Sequence, residues 1–130
     1  MDGHGIDLHD EPRRVDVVVD GVTVASSTAA VALQETGLPM RYYLPRDDVH
    51  MEYLESTPTE TVCPFKGQAS YWTVRVGDHE HRDLAWSYET PIDGVERIAG
   101  LVCFYAEHTD TVIDGVAQDR PESPWSKAAV

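Results

Sequence analysis

Residues 61–76 read TVCPFKGQASYWTVRV, and the rest of the chain is arranged around this segment. Its first half places a thiol, an amine and a flexible glycine close together, at Cys63, Lys66 and Gly67. From residue 71 to residue 76 the side chains alternate as they do in a strand with one buried face. We therefore expect a chemically active turn that leads directly into a central strand.

Two hairpins are predicted on either side of this turn. Asp20-Gly21 separates two valine-rich runs at 15–19 and 22–25, and Asp-Gly accepts the positive backbone angles of a tight turn. Gly77-Asp78 is the corresponding turn after residue 76, and residues 79–85 form the returning arm. The fold is therefore expected to contain antiparallel sheets.

The other apolar segments are short and also favour strands. Residues 29–35 stop at Gly37, residues 41–44 are aromatic and extended, and residues 100–105 form a continuous apolar run typical of a buried strand. Short helical turns are expected at two places, 46–49 after Pro45 and 95–98. Residues 56–60 are predicted to form a loop, and residues 86–91 are predicted to leave the sheet.

These segments predict one mostly-β domain over residues 13–116. Residues 1–12 are expected to be a flexible N-terminal tail and residues 117–130 a loose C-terminal tail. Trp125 stands out in the polar C-terminal segment, and the sequence leaves open whether it docks on the domain.

Charge and composition narrow the function class. The formal net charge of -13 opposes phosphate backbones, so we expect no nucleic-acid partner. No apolar run approaches the roughly 20 residues of a membrane span, and the N-terminus lacks the apolar run of a signal peptide. The two cysteines lie far apart and are expected to be reduced. We expect a cytoplasmic protein without a membrane partner, and the sequence leaves a homo-oligomer open.

Several ordered blocks resemble the bacterial domain-of-unknown-function family four-two-seven. They include Cys63-Pro64-Phe65-Lys66-Gly67, Ala69-Ser70-Tyr71, Arg41-Tyr42-Tyr43-Leu44-Pro45 and Trp86-Ser87-Tyr88. The resemblance extends over about residues 15–105. It implies a compact fold of two packed antiparallel sheets similar to a β-tent, and it implies no established activity.

The same resemblance raises two metal-dependent possibilities. The family also carries a nucleotidyltransferase label, but that chemistry needs a Gly-Ser turn and spaced carboxylates, and here Asp47 and Asp48 are adjacent. Domains of β-tent shape can hold zinc with two Cys-x-x-Cys pairs, which this chain lacks. A site made of Cys63, Cys103 and either His50 or His108 is the alternative. We expect no metal and no other cofactor.

Three residues are candidates for catalysis. Lys66 could act as an acid or hold an anion, and Glu35, at the end of a predicted strand, could face it as the base. The thiol of Cys63 could be activated by the amine of Lys66. The alternatives are a surface lysine, an exposed glutamate and a buried structural cysteine.

Aromatic side chains provide candidates for ligand binding. Alternation along a strand sends Tyr42 and Tyr43 to opposite faces, so some of the rings should be available outside the core. We expect a ring-lined pocket flanked by a cationic residue, and its candidates are Arg41, Tyr42, Tyr43, Tyr71, Trp86 and Tyr88. His79 and His81 share one face of their strand, in a segment expected to be exposed.

The leading hypothesis is a small-molecule-binding β domain. Its pocket is expected to support acid/base chemistry without a cofactor, such as isomerisation, cyclisation, dehydration or hydrolysis. The alternative is a non-catalytic module that binds a metabolite or a peptide. A nucleotidyltransferase-like enzyme is the least favoured reading.

Overall fold

The structure is a computed structural model that describes residues 5–126. Within that range it contains two antiparallel β-sheets and three short 3-10 turns. The strands are β1 (Ile6–Glu11), β2 (Val15–Val19), β3 (Val22–Ser27), β4 (Ala30–Glu35), β5 (Arg41–Leu44), β6 (Leu54–Cys63), β7 (Gly67–Val76), β8 (His79–Ser87), β9 (Val102–Phe104), β10 (Asp110–Ile113) and β11 (Val116–Ala117). The 3-10 turns are Arg46–Asp48, Met51–Tyr53 and Glu96–Ile98.

The larger sheet has seven strands in the order β1-β4-β5-β9-β8-β7-β6, and the smaller has four in the order β11-β10-β2-β3. This arrangement confirms the predicted mostly-β fold of two antiparallel sheets. The predicted hairpin at Asp20-Gly21 is also confirmed, with positive φ angles of 50° and 79° at its two turn residues. Asp114-Gly115 makes the same kind of turn between β10 and β11.

The two sheets pack face to face through an inner cluster of apolar side chains. Leu44 and Val102 of the larger sheet are fully buried there, together with Val15 and Val24 of the smaller sheet. Burial of such side chains is the main favourable term in folding. The inner cluster therefore joins the two sheets into one unit.

The opposite face of the larger sheet carries a second, outer cluster. It includes Leu33, Tyr43 and Trp86, and it is covered by the connection between β8 and β9, which contributes Val95 and Ile98. The larger sheet is thus buried on both faces. This second covered face is where the candidate site lies.

Both predicted tails require correction. Residues 6–11, expected to be flexible, form β1, whose polar side chains protect the edge of the apolar strand β4. In the C-terminal segment, Ser123 Oγ donates a hydrogen bond to Glu107 at 2.6 Å, so this segment is docked. The remaining parts of both predicted tails, 1–4 and 127–130, lie outside the described residues.

Two predicted breaks in the sheet are also wrong. Residues 56–60 belong to β6, where a register shift between Ser56 and Glu60 accommodates Pro58 on an edge strand. Trp86 and Ser87 do not leave the sheet, because they pair with β9. None of the helical turns in residues 5–126 is long and apolar enough to cross a membrane.

Shortening a side chain in the inner cluster should destabilise the whole domain. Leu44→Ala should lower the free energy of unfolding by about 3 kcal/mol, because Leu44 is fully buried between the sheets. Val62→Ala is the control, since Val62 is 78% exposed, and it should change stability by less than about 0.5 kcal/mol. Urea unfolding followed by circular dichroism measures both, and equal effects would contradict this packing.

Candidate functional site

A row of side chains crosses the covered face of the larger sheet from strand to strand. Tyr71 pairs with Trp86, Trp86 with Cys103, Cys103 with Tyr43, and Tyr43 with Val31. Directly paired residues point to the same face of a sheet, so these side chains lie side by side. Antiparallel pairing thus assembles the outer cluster from five different strands.

Tyr42 lies on the other face, as strand alternation predicts. It packs against the inner cluster, whereas Tyr43 belongs to the outer cluster. The expectation that Tyr42 shares one pocket with the other candidate rings is therefore wrong, because a strand cannot present two adjacent side chains to the same face.

The outer cluster is rich in buried hydroxyls. Trp86 Nε1 donates a hydrogen bond to Tyr43 Oη at 3.2 Å, and the rings of Trp86 and Tyr105 lie 4.5 Å apart between centroids. Burial raises the pKa of Tyr43, Tyr88 and Tyr105 above the ordinary tyrosine value. These phenols therefore resist ionisation more strongly than exposed tyrosines do.

Arg41 is buried in an ion pair. Its guanidinium nitrogens donate to both carboxylate oxygens of Glu107, at 2.6 and 2.9 Å, and its guanidinium carbon lies 5.2 Å from the centroid of the Trp86 ring. Burial by itself would raise the pKa of Glu107, but the hydrogen bonds from Arg41 and Ser123 outweigh it and hold that pKa below its usual value. Arg41 thus neutralises a buried carboxylate.

Lys66 and Glu35 meet in a second buried ion pair. Lys66 Nζ donates to Glu35 Oε1, and the two side chains are only 10% and 6% exposed. Glu35 is the last residue of β4, and Lys66 lies in the turn between β6 and β7, where its amide N–H donates to Cys63 O at 3.2 Å. The structure therefore brings together the proposed base and the proposed acid, which are 31 residues apart in sequence.

The turn that holds Lys66 is fixed by its backbone. Gly67 has a φ of 118°, which other residues rarely adopt, and Lys66 O accepts a hydrogen bond from the amide of Ile92 at 3.0 Å. The connection between β8 and β9 thus holds the turn against the outer cluster. This arrangement directs the lysine side chain inward.

The two cysteines differ in environment. Cys103 is fully buried, and burial raises its pKa to about 12, so it remains a thiol at neutral pH. Cys63 is half-buried at the end of β6 and packs against the outer cluster. Among residues 5–126, possible metal ligands gather at Asp20, His79 and His81, and neither cysteine takes part in that group. The alternative zinc site built on Cys63 and Cys103 therefore does not fit this structure.

A groove of about 670 Å³ opens beside the outer cluster, and we call it the aromatic groove. Three rings contribute to its wall, Tyr71, Tyr105 and Trp125. Its other lining residues are polar or charged apart from one leucine: Thr59, Thr61, Glu80, His81, Arg82, Asp83, Leu84, His108 and Arg120. The aromatic groove combines flat apolar surface with several hydrogen-bonding groups.

One of the nine candidate site residues, Tyr71, lines the aromatic groove, and the other eight are absent from its lining. Arg41, Tyr43, Trp86 and Tyr88 are buried outside the lining, and two of them, Arg41 and Trp86, contact the ring of Tyr105 in the wall. Glu35, Lys66 and Cys63 are also outside the lining. The site therefore has two layers, an accessible groove and a buried set of charges and phenols.

Sequence reasoning missed most of the accessible layer. Trp125 does dock: its ring lies 5.9 Å from the guanidinium carbon of Arg41, and its carbonyl oxygen lies 2.8 Å from His108 Nε2. The sequence signal for this docking was the presence of an aromatic residue, Trp125, in an otherwise polar segment. Arg82 and Arg120 carried no signal, because charged residues on a strand and in a terminal segment are ordinary surface features.

The fold and the site define a small antiparallel β domain with an aromatic groove beside a buried cluster that contains two ion pairs. The chain belongs to the DUF427 family, described as a domain of unknown function, because that family matches residues 7–115. The family resemblance noted in the sequence is thereby confirmed. A search of the curated proteins found no match.

Removing the cation of the buried pair should be costly. Lys66→Met should lower the free energy of unfolding by about 3 kcal/mol, because it takes the ammonium away from a buried carboxylate. Adding Glu35→Leu to that variant should recover part of the loss, since two apolar residues need no charge partner. Chemical denaturation measures both variants.

The control for this experiment is an exposed ion pair. Arg75 Nη1 lies 2.7 Å from Glu80 Oε2, and both side chains are at least half exposed. Arg75→Met should therefore cost less than about 1 kcal/mol. A Lys66→Met variant as stable as Arg75→Met would show that the pair is not buried as described.

Proposed function

We propose that the protein binds a small organic molecule in the aromatic groove. The observation that carries the proposal is the groove itself, whose volume of about 670 Å³ lies within the range of small-molecule sites. The proposed ligand has a flat apolar part and an anionic group. The two parts follow from two features of the lining.

The flat part of the ligand is inferred from the wall. The rings of Tyr71, Tyr105 and Trp125 offer faces and edges against which a planar molecule can stack. Tyr71 Oη lies 2.9 Å from Thr61 Oγ1, and Tyr105 interacts electrostatically with Tyr71. These contacts hold the rings in place before a ligand arrives, which lowers the entropic cost of binding.

The anionic group is inferred from the charges along the groove. Both carboxylate oxygens of Asp83 accept hydrogen bonds from threonine hydroxyls at 2.7 Å, and Glu80 pairs with Arg75. Arg82 has no carboxylate partner within residues 5–126. A guanidinium is suited to bidentate recognition of a carboxylate, so an aromatic carboxylate fits the groove best.

We propose acid/base chemistry by Glu35 and Lys66 as a second candidate function. It is supported by the buried contact between a carboxylate and an amine in a water-poor environment. Tyr88 interacts electrostatically with both Glu35 and Tyr71, and Tyr71 lines the aromatic groove. The phenols of Tyr88 and Tyr71 would then relay a proton between the pair and a bound molecule. The reaction would be a cofactor-independent isomerisation, cyclisation, dehydration or hydrolysis.

Ligand binding is tested with a panel of aromatic carboxylic acids, each paired with its primary amide. Saturation-transfer NMR should detect binding of at least one acid, and the matching amide should bind at least about tenfold more weakly because it lacks the charge that Arg82 recognises. Arg82→Gln should abolish the preference for the acid. Arg97→Gln is the matched control, since Arg97 pairs with Asp10 away from the groove.

Two outcomes contradict the binding proposal. One is that no member of the panel binds, and the other is that Trp125→Ala and Tyr105→Leu, which remove rings from the wall, leave binding unchanged. Tyr42→Leu serves as the control for the tyrosine substitution, because Tyr42 packs on the opposite face of the sheet.

The catalytic candidate is tested on an acid that binds. In D2O, wild-type protein should exchange an acidic C–H proton of the bound molecule or convert it to a product, and Glu35→Gln should slow this at least about a hundredfold by removing the base. Proton NMR follows both processes. Binding without exchange or turnover in the wild type would favour the non-catalytic binding module, and an undiminished rate in Glu35→Gln would exclude Glu35 as the base.

A further inference from the structure

Two histidines and an aspartate converge at the end of the molecule where two hairpin turns meet. His79 Nδ1 lies 3.1 Å from Asp20 Oδ2, and His81 Nε2 lies 2.7 Å from the same oxygen. One ligand atom from each residue lies within 4.8 Å of the others. Three side chains that commonly bind metals thus point toward one small volume.

The local backbone explains this convergence. Asp20 occupies the first position of the β2–β3 turn with a φ of 50°, which fixes the direction of its side chain. His79 opens β8 directly after the Gly77-Asp78 turn, and His81 follows two residues later on the same face of the strand. Asp20 belongs to the smaller sheet and the histidines to the larger, so the cluster connects the two sheets.

We propose that Asp20, His79 and His81 form a binding site for a divalent transition metal, with zinc as the reference ion. Imidazole nitrogen and carboxylate oxygen are common zinc ligands, with bonds of about 2.0–2.2 Å. Neighbouring ligand atoms in a tetrahedral site with such bonds are about 3.3 Å apart. The contacts of 3.1 and 2.7 Å around Asp20 Oδ2 are close to this spacing, so small side-chain adjustments suffice.

The site is accessible and coordinatively open. The side chain of His79 is 68% exposed, and those of His81 and Asp20 are each 31% exposed, so an ion can enter from solvent. Three protein ligands leave a fourth position for water or another small ligand, which is the arrangement of catalytic rather than structural zinc sites. The formal net charge of -13 also favours the approach of a cation.

The metal would lie at one end of the aromatic groove, because His81 is both a ligand and a lining residue. The proposal does not rest on ligand binding in that groove, since the three ligands are in place without it. The proposed metal site differs from the expectation of no metal, which was based on the lack of zinc-binding cysteine and histidine spacing in the sequence. Asp20 lies 59 residues from His79 and was not visible in that pattern.

The test is a titration of the full chain with zinc after treatment with a chelator. Calorimetry in a non-chelating buffer should show one zinc ion per chain, and addition of cobalt instead should produce the visible absorption of a low-coordinate site. Asp20→Asn should weaken binding more than about tenfold, and the double variant His79→Gln/His81→Gln should abolish the one-to-one binding, because each change removes a direct ligand. Zinc should also raise the Tm of the wild type and leave that of the double variant unchanged.

Controls separate this site from other histidines. His50→Gln and the double variant His4→Gln/His9→Gln should bind zinc as the wild type does, since His50 is exposed outside the cluster and His9 lies in β1. Circular dichroism confirms that each variant is folded. Absence of zinc binding by the wild type, unchanged affinity in Asp20→Asn, or retained one-to-one binding in His79→Gln/His81→Gln would each overturn the proposal.

Discussion

The larger sheet is covered on both faces, and this constraint determines which side chains its central strands can carry. On the inner face, the buried side chains are apolar, as at Leu44 and Val102. The outer face instead buries two carboxylates, Glu35 and Glu107, and a buried charge without a partner costs several kcal/mol. Each carboxylate is accordingly matched by a buried cation, Lys66 or Arg41. The outer cluster therefore combines packed apolar side chains with two buried ion pairs.

The same burial gives the phenols of the outer cluster their chemical character. Removal from water raises the pKa of Tyr43, Tyr88 and Tyr105, so these phenols resist ionisation more strongly than exposed tyrosines do. Electrostatic interactions are also stronger in such surroundings than at the surface. This is the physical basis on which the buried layer could do more than support the wall of the groove.

Local sequence signals predicted the hairpins well and the edges of the sheets poorly. Asp20-Gly21 specifies its turn through backbone angles, so the β2–β3 hairpin could be read directly. Strand β1 could not, because it has only two apolar residues, Ile6 and Leu8, and it depends on pairing with β4. Pro58 indicates a loop by local rules, yet an edge strand with a register shift tolerates it. Each missed element depends on a partner far away in the chain.

In the candidate site, too, features set by local sequence could be predicted and features that depend on distant segments could not. Glu35 and Lys66 could be proposed as a pair because Lys66 lies in a motif of the resembled family and Glu35 ends a predicted strand, although their contact spans 31 residues. The accessible lining could not be predicted, since Arg82, His108 and Trp125 come from separate segments that only the fold brings together. The cluster of Asp20 with His79 and His81 likewise needs two turns from different sheets. Sequence patterns therefore located the buried chemistry and missed the surfaces that a ligand or an ion would meet first.

The buried ion pairs themselves bear on function. Replacing a buried ion pair by apolar residues of similar volume is often neutral or stabilising, so stability alone does not account for Glu35 and Lys66 in the outer cluster. The inner cluster demonstrates that this chain can cover a sheet face with aliphatic side chains. Tyr88 interacts electrostatically with both Glu35 and Tyr71, and Tyr71 lines the aromatic groove, so one phenol connects the buried pair to the groove. The proposed acid/base chemistry would account for a buried ion pair at a position where apolar packing alone would also cover the sheet.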